Sequence, residues 1–211
     1  MALLVDNDAL LKLARYDLLD KVLEQFSFDY GDVRVLAAAK YVLLPARDRL
    51  RHCKDEACAD RLERFLSLVG KLDATTADRG IVDALAAVPN IDPGEALMLA
   101  AGATDPDCYI ITGDKRALAA VGESELLFAV RVALRGRILS LELLFSFLIE
   151  GDFANVQNRI RLQPSVDKTL ANIFGVSTPS SLQSVRDGLD SYIAHLRAQT
   201  GVLLHPPPAS S

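Results

Sequence analysis

Three acids in this 211-residue chain fall where chemistry needs them. Asp6 ends a short apolar run, Leu3-Leu4-Val5, and Asp114 follows a second one, Cys108-Tyr109-Ile110-Ile111-Thr112, across Gly113. Glu95 opens an apolar stretch that leads toward that second run. Short apolar runs of this kind read as buried strands of a parallel sheet, whose carboxyl ends line the crevice where ligands bind. Three carboxylates meeting at one sheet edge repel one another, so they either take up protons or share a cation. An all-oxygen ligand set suits Mg2+ or Mn2+ rather than Zn2+. A plainer role competes at each position. Asp6 or Asp8 can cap the helix that follows, Asp114 can cap Lys115–Val121, and Asp92-x-x-Glu95 is a capping-box pattern.

The elements that must position these acids can be read from spacing. Strands are expected at Leu3–Val5, Val33–Leu36, Cys108–Thr112 and Ile138–Leu141. Helical periodicity follows the first strand, with a break near Tyr16–Asp17. A long amphipathic helix is expected from Pro45 to Val69, stopped by Gly70. Further helices are expected at Ala77–Val88, from Asp92 to Ala101 with Gly102 as its stop, at Lys115–Val121, and from the last strand to Ile149. The alternation predicts an α/β chain with three α/β/α layers around a mostly parallel sheet. Residues 153–200 show no strand pattern, and Thr178-Pro179 reads as a helix start. We expect an α/β domain over 1–150, a helical extension over 151–205 and a disordered tail over 206–211, whose run Pro206-Pro207-Pro208 precedes small polar residues.

Charge supports the division. The chain carries a net −5, but residues 1–150 hold −6 and residues 151–211 hold +1, with no Glu after Glu150. That balance excludes a surface that coats nucleic acid over its whole extent and leaves room for a local basic strip. Arg47, Arg51, Lys54 and Arg61 share one face of the expected long helix and are candidates to track phosphates. The alternative is a solvated face paired with Asp48, Asp55, Glu56 or Asp60. Arg131, Arg135 and Arg137 form a second candidate cluster. The three cysteines make no C-x-x-C pair, which suits a reducing, cytoplasmic setting. The opening MALLVDNDAL does not read as a signal peptide, and no apolar run approaches the roughly 20 residues of a membrane span, so no membrane partner is expected. His52, His195 and His205 lack metal-ligand spacing.

Three ordered segments resemble the PIN-domain nuclease family. LVDNDALLKLARYDLL (Leu4 to Leu19) is similar to the family's opening strand, acid and apolar helix. DPGEALMLA (Asp92 to Ala100) is similar to its central acid-bearing helix start, and CYIITGDKRAL (Cys108 to Leu118) to its strand-Thr-x-Asp segment. The resemblance covers about residues 1–150. It implies a metal-dependent nuclease acting on RNA, with Asp6, Glu95 and Asp114 as catalytic, metal-binding acids and Mg2+ or Mn2+ as the cofactor. It implies Thr112 as a hydroxyl that orients a carboxylate and Asp8 as an extra acid beside the site. It also implies the toxin of a toxin–antitoxin pair, with an antitoxin protein as partner.

The sequence departs from the family at Val35–Leu44, which holds no acid where the family places a further Glu, and which carries Lys40. Lys40 in the site would replace one metal or bind a phosphate. The same gap fits a PIN-like module that binds nucleic acid or protein without cleaving. A third reading takes Asp6-Asn7-Asp8 as the DxD of a haloacid-dehalogenase-type phosphatase, with Asp6 as nucleophile and Asp8 as general acid. The apolar Leu139–Ile149 stretch and the C-terminal helices offer a homodimer interface or an intramolecular core.

Overall fold

A computed structural model describes residues 1–208, and residues 209–211 of the expected tail lie outside the described residues. Five strands form one parallel sheet: β1 (Ala2–Val5), β2 (Val33–Val35), β3 (Gly70–Lys71), β4 (Cys108–Thr112) and β5 (Ile138–Ser140), in the order β3-β2-β1-β4-β5. Val5 pairs with Val35 on one side and Ile111 on the other. Leu3, Leu4, Val5, Ile110 and Ile111 are buried, which is why these strands read as unbroken apolar runs. The chain builds outward from β1 through β2 to β3, then returns to place β4 on the opposite side of β1. Parallel crossovers are right-handed almost without exception, so connections running in the two directions send helices to opposite faces, an arrangement consistent with three α/β/α layers. The order reverses between β1 and β4, and that switch point is where open parallel sheets bind ligands.

Local chemistry sets the helix ends. α1 (Asn7–Tyr16) starts at the Asp6 cap and stops at Asp17, which adopts a left-handed φ of 56° before α2 (Leu19–Phe26). The stretch after β2 yields only α3 (Ala39–Leu43). The long helix expected over Pro45–Val69 is two pieces, α4 (Leu50–Cys53) and α5 (Glu56–Leu68). Lys54 takes a left-handed φ of 72° and the Asp55 side chain caps α5 by accepting from the Cys58 N–H at 2.7 Å. The apolar period continues across this break because Cys53 and Cys58 both face the core, so periodicity alone misses it.

α6 (Arg79–Ala86) leads to α7 (Pro93–Thr104), which runs through Gly102 rather than stopping there. A Cβ at Gly102 would lie 2.7 Å from Ile110 Cδ1, so this glycine lets α7 close on β4. After β4 come α8 (Lys115–Glu123) and α9 (Phe128–Ala133). α10 (Leu141–Leu162) then crosses the expected boundary at residue 150 and kinks at Asp152. α11 (Lys168–Phe174) and α12 (Leu182–Thr200) follow, with the last helix beginning at a Ser181 cap rather than at Thr178-Pro179.

Val185, Leu189, Ile193 and Leu196 of α12 join the same core as the sheet and pack on α8 and α10. A Cβ at Gly122 would lie 2.2 Å from the Gln199 carbonyl oxygen, so α8 and the end of α12 touch backbone to backbone. Leu204 then bridges to Ile138 of β5. No helix among the described residues is long and apolar enough to cross a membrane.

Candidate functional site

At the carboxyl edge of the sheet, astride the switch point, lies a cavity of about 550 Å3. Asp6 from the end of β1, Glu95 from the first turn of α7 and Asp114 from the loop after β4 all line it, with Asp8, Lys115 and Arg116 at its margin. The capping roles and the shared cavity coexist. Asp6 caps α1, Glu95 completes a reciprocal capping box with Asp92, and Asp114 caps α8. Capping is what points three helix starts, each with its acid, at one place.

Asp6 is the most constrained of the three. Its Oδ1 accepts from the Ala9 N–H at 2.6 Å, and its Oδ2 accepts from the Gly113 N–H at 2.9 Å and from the Thr112 hydroxyl. Burial pushes its carboxyl up to about 6, against the pull of those three donors, and the nearby Asp8 charge adds to the rise. Three of its roughly four lone-pair positions are therefore already taken by the protein. Thr112 Oγ1 also accepts from the Asp114 N–H at 3.1 Å, so one hydroxyl ties the Asp6 carboxylate to the Asp114 backbone.

Glu95 and Asp114 form a coupled pair. Glu95 Oε2 accepts from the Asp92 N–H at 2.7 Å. Burial, a hydrogen bond shared with Asp114 and the Asp114 charge together raise the Glu95 carboxyl to about 7. Burial opposes ionisation of Asp114 too. The Ala117 N–H, the bond shared with Glu95 and the Arg116 N–H outweigh it and hold that carboxyl below its ordinary value. Two carboxylates held this way favour a shared proton or a shared cation over full ionisation.

Asp8 stands at the rim, half exposed, and binds Lys12 at 2.8 Å. A Cβ at Gly113 would lie 2.2 Å from Asp8 Oδ2, so the glycine lets this carboxylate lie against the loop after β4. Lys12 also reaches Asp167, the cap of α11, at 2.9 Å. Lys115 pairs with the buried Glu142 of α10 and lies 5.4 Å from the Tyr192 ring centroid. Asp167 on the α11 side, Glu142 of α10 and Tyr192 of α12 thereby brace two cations beside the cavity.

The other expected residues lie elsewhere. Lys40 pairs with Glu63 of α5 at 3.0 Å and does not line the cavity, where Leu36 stands instead. Arg47, Arg51 and Lys54 do not share one helix face, because Arg47 precedes α4 and Lys54 ends it. Lys54 donates to the Arg51 carbonyl at 2.8 Å, and Arg61 donates to the Ala14 carbonyl at 3.1 Å. Arg137 is a structural brace that donates to the carbonyls of Gly102, Asp105, Cys108 and Ala133. Arg131 donates to the Gly122 carbonyl.

Lys115 and Arg116 also line the cavity and were not among the expected site residues. Their signal was position, directly after Asp114. Glu142 was not among them either; it is a lone acid inside an apolar run, which is itself the mark of a buried partner for a cation.

No group of three or more His, Cys, Asp or Glu among the described residues is arranged to hold a metal ion. The two-carboxylate pair of Glu95 and Asp114 still fits Mg2+ or Mn2+, which bind through one or two carboxylates and complete their shell with water and substrate phosphate. No family model, no curated protein and no solved structure matches the chain.

Proposed function

We propose that this chain is a PIN-like, metal-dependent nuclease that hydrolyses phosphodiester bonds in RNA. One observation carries the reading: acids from the end of β1, the start of α7 and the loop after β4 line a single cavity at the switch point of a parallel sheet. The ordered resemblance of the three segments that supply those acids supports it.

In this reading Glu95 and Asp114 hold the ion, with Asp6 lining the floor beside them. Bound Mg2+ or Mn2+ would supply charge neutralisation at the scissile phosphate and a more acidic water. Before an ion binds, burial and Asp114 hold the Glu95 carboxyl near 7, so a cation that takes its place in the pair displaces a proton. Thr112 positions Asp6 and Asp114 relative to each other. Asp92 fixes Glu95 through its N–H.

The environment of Asp6 argues against the dehalogenase-type alternative. Both Asp6 oxygens accept hydrogen bonds inside the fold, which leaves about one of its four lone-pair positions for attack. Asp8, the general acid of that scheme, is an ion-pair partner of Lys12. A non-cleaving binding module has one observation in its favour, that Val35–Leu44 brings no acid to the cavity.

The test is RNA cleavage by purified protein. Single-stranded RNA should be cut in Mg2+ or Mn2+, and neither in excess chelator nor by Asp114→Asn. Cleavage that survives the chelator or the substitution refutes the proposal. Metal-dependent RNA binding without cleavage moves the chain to the binding reading.

A further inference from the structure

Two of the three thiols meet at the break between α4 and α5. Cys53 ends α4 and Cys58 lies in the first turn of α5, with four residues between them. The left-handed turn at Lys54 and the Asp55 cap fold the chain back on itself there. The two side chains come within hydrogen-bonding reach of each other, and both thiols are free. Cys108, the third, stands apart from them in β4.

The two thiols of the pair are not equivalent. Burial, joined by the hydrogen bond with Cys53, pushes the Cys58 thiol up to about 12. Burial raises the Cys53 thiol as well, but the bond donated by Cys58 and the charges of Arg49 and Arg15 oppose that rise. The Arg15 Nε is buried and has no hydrogen-bond partner among the described residues. A cationic donor is thus in reserve beside Cys53, where a thiolate would form.

We propose that Cys53 and Cys58 are a redox-responsive pair, which a low-molecular-weight disulfide closes into a reversible bond across the α4–α5 break. The Cys53 thiol gives up its proton and attacks one sulfur of the reagent. The reagent's sulfur–sulfur bond breaks, and its second half leaves as a thiolate that takes up the proton. The Cys58 thiol then attacks the Cys53 sulfur of this mixed disulfide and expels the other half as a second thiol. The protein dithiol is oxidised by two electrons and the reagent is reduced to two thiols. Access comes through α4, which is a single turn with little stability of its own, so its opening uncovers Cys53 while the sheet stays folded. Both α4 and α5 pack on α1, the helix that Asp6 caps. The bond therefore staples the layer that supports this helix, and it does so whatever reaction the acid site performs.

The experiment equilibrates the native protein with oxidised glutathione for hours, the pace of uncatalysed exchange. Free thiols are then alkylated in denaturant and the peptides mapped by mass spectrometry. Of three alkylatable thiols the protein should keep one, Cys108, with Cys53 and Cys58 joined, and dithiothreitol should restore all three. Cys58→Ala should trap glutathione on Cys53 as the mixed disulfide, and Cys53→Ala should leave Cys58 unreacted. Alanine fits either buried position, and circular dichroism checks that both variants fold. Failure of native protein to form the Cys53–Cys58 bond overturns the proposal, and so does a bond that forms only in denaturant. Loss of Cys108 at the same rate as the pair overturns it too, because oxidation would then follow general unfolding. Glutathione trapped on Cys58 instead of Cys53 overturns the assigned order of attack.

Discussion

Around Arg49, carboxylates and cations settle one another at the surface. Arg49 binds Glu56, Asp60 and Glu63, and Lys40 adds a second cation to Glu63. The Glu63 carboxyl accordingly sits below its ordinary value, through its bonds to Lys40 and then to Arg49. At the carboxyl edge of the sheet the same residue types are left unsettled. The Glu95 carboxyl rises to about 7 and that of Asp6 to about 6, each chiefly by burial, while the nearby Lys12 and Lys115 are engaged by Asp8, Asp167 and Glu142. A solvated network stabilises by pairing and asks for nothing further. A cavity whose acids are forced together stays poised for a proton or a cation, which is the usual electrostatic mark of a functional site.

The sharpest way to break this contrast is to remove one acid from each region. Asp114→Asn should lower metal-dependent RNA cleavage by about a hundredfold or more, because it removes half of the proposed ion-holding pair. Glu63→Gln should leave the rate within about twofold, as expected for a surface charge remote from the chemistry. Single-turnover gel assays on both variants decide it, and equal losses would erase the distinction between the regions.

A second prediction concerns pH and the metal-free protein. The folded Asp6 and Glu95 carboxyls lie above their ordinary values of 3.8 and 4.5, so the folded state binds more protons than the unfolded one in that window. Their contribution is fully present below those ordinary values and is lost as pH rises through about 6 and about 7. For Asp6 the loss is on the order of 3 kcal/mol. Urea unfolding should show stability falling between pH 4.5 and pH 7.5, with Glu95→Gln showing a shallower fall. A rise across that range in wild-type protein would contradict the buried-acid account.

The smallest effect belongs to the surface network. Arg49→Ala should lower the melting temperature slightly in dilute buffer, with the difference closing in 1 M NaCl as screening removes the pairs. A large salt-insensitive loss would mean that the network is a structural element and not a solvated one.

The positions of the acids were legible because capping and strand ends are local. Asp6, Glu95 and Asp114 each stand beside a run of residues that names its own element, and the order of those runs placed all three at one sheet edge. The details that failed to show in sequence depend on distant partners or on very short pieces. β3 is two residues long and has no period to read. The break at Lys54 hides because Cys53 and Cys58 keep the apolar spacing across it. Gly102 looks like a helix stop until Ile110 is seen against it. Lys12–Asp167 and Lys115–Glu142 join segments far apart in the chain, so the support that α10 and the cap of α11 give the cavity leaves no local trace. Lys40 was a reasonable candidate by position, yet Glu63 on α5 offers it a partner at the surface.

The central claim is that Glu95 and Asp114 form a divalent-cation site, and Mn2+ titration followed by electron paramagnetic resonance tests it most directly. Wild-type protein should deplete the free-ion signal with saturable binding, and the Glu95→Gln/Asp114→Asn double variant should lose that binding while unfolding cooperatively. Equal Mn2+ binding by both proteins, or no binding by the wild type, would contradict the account.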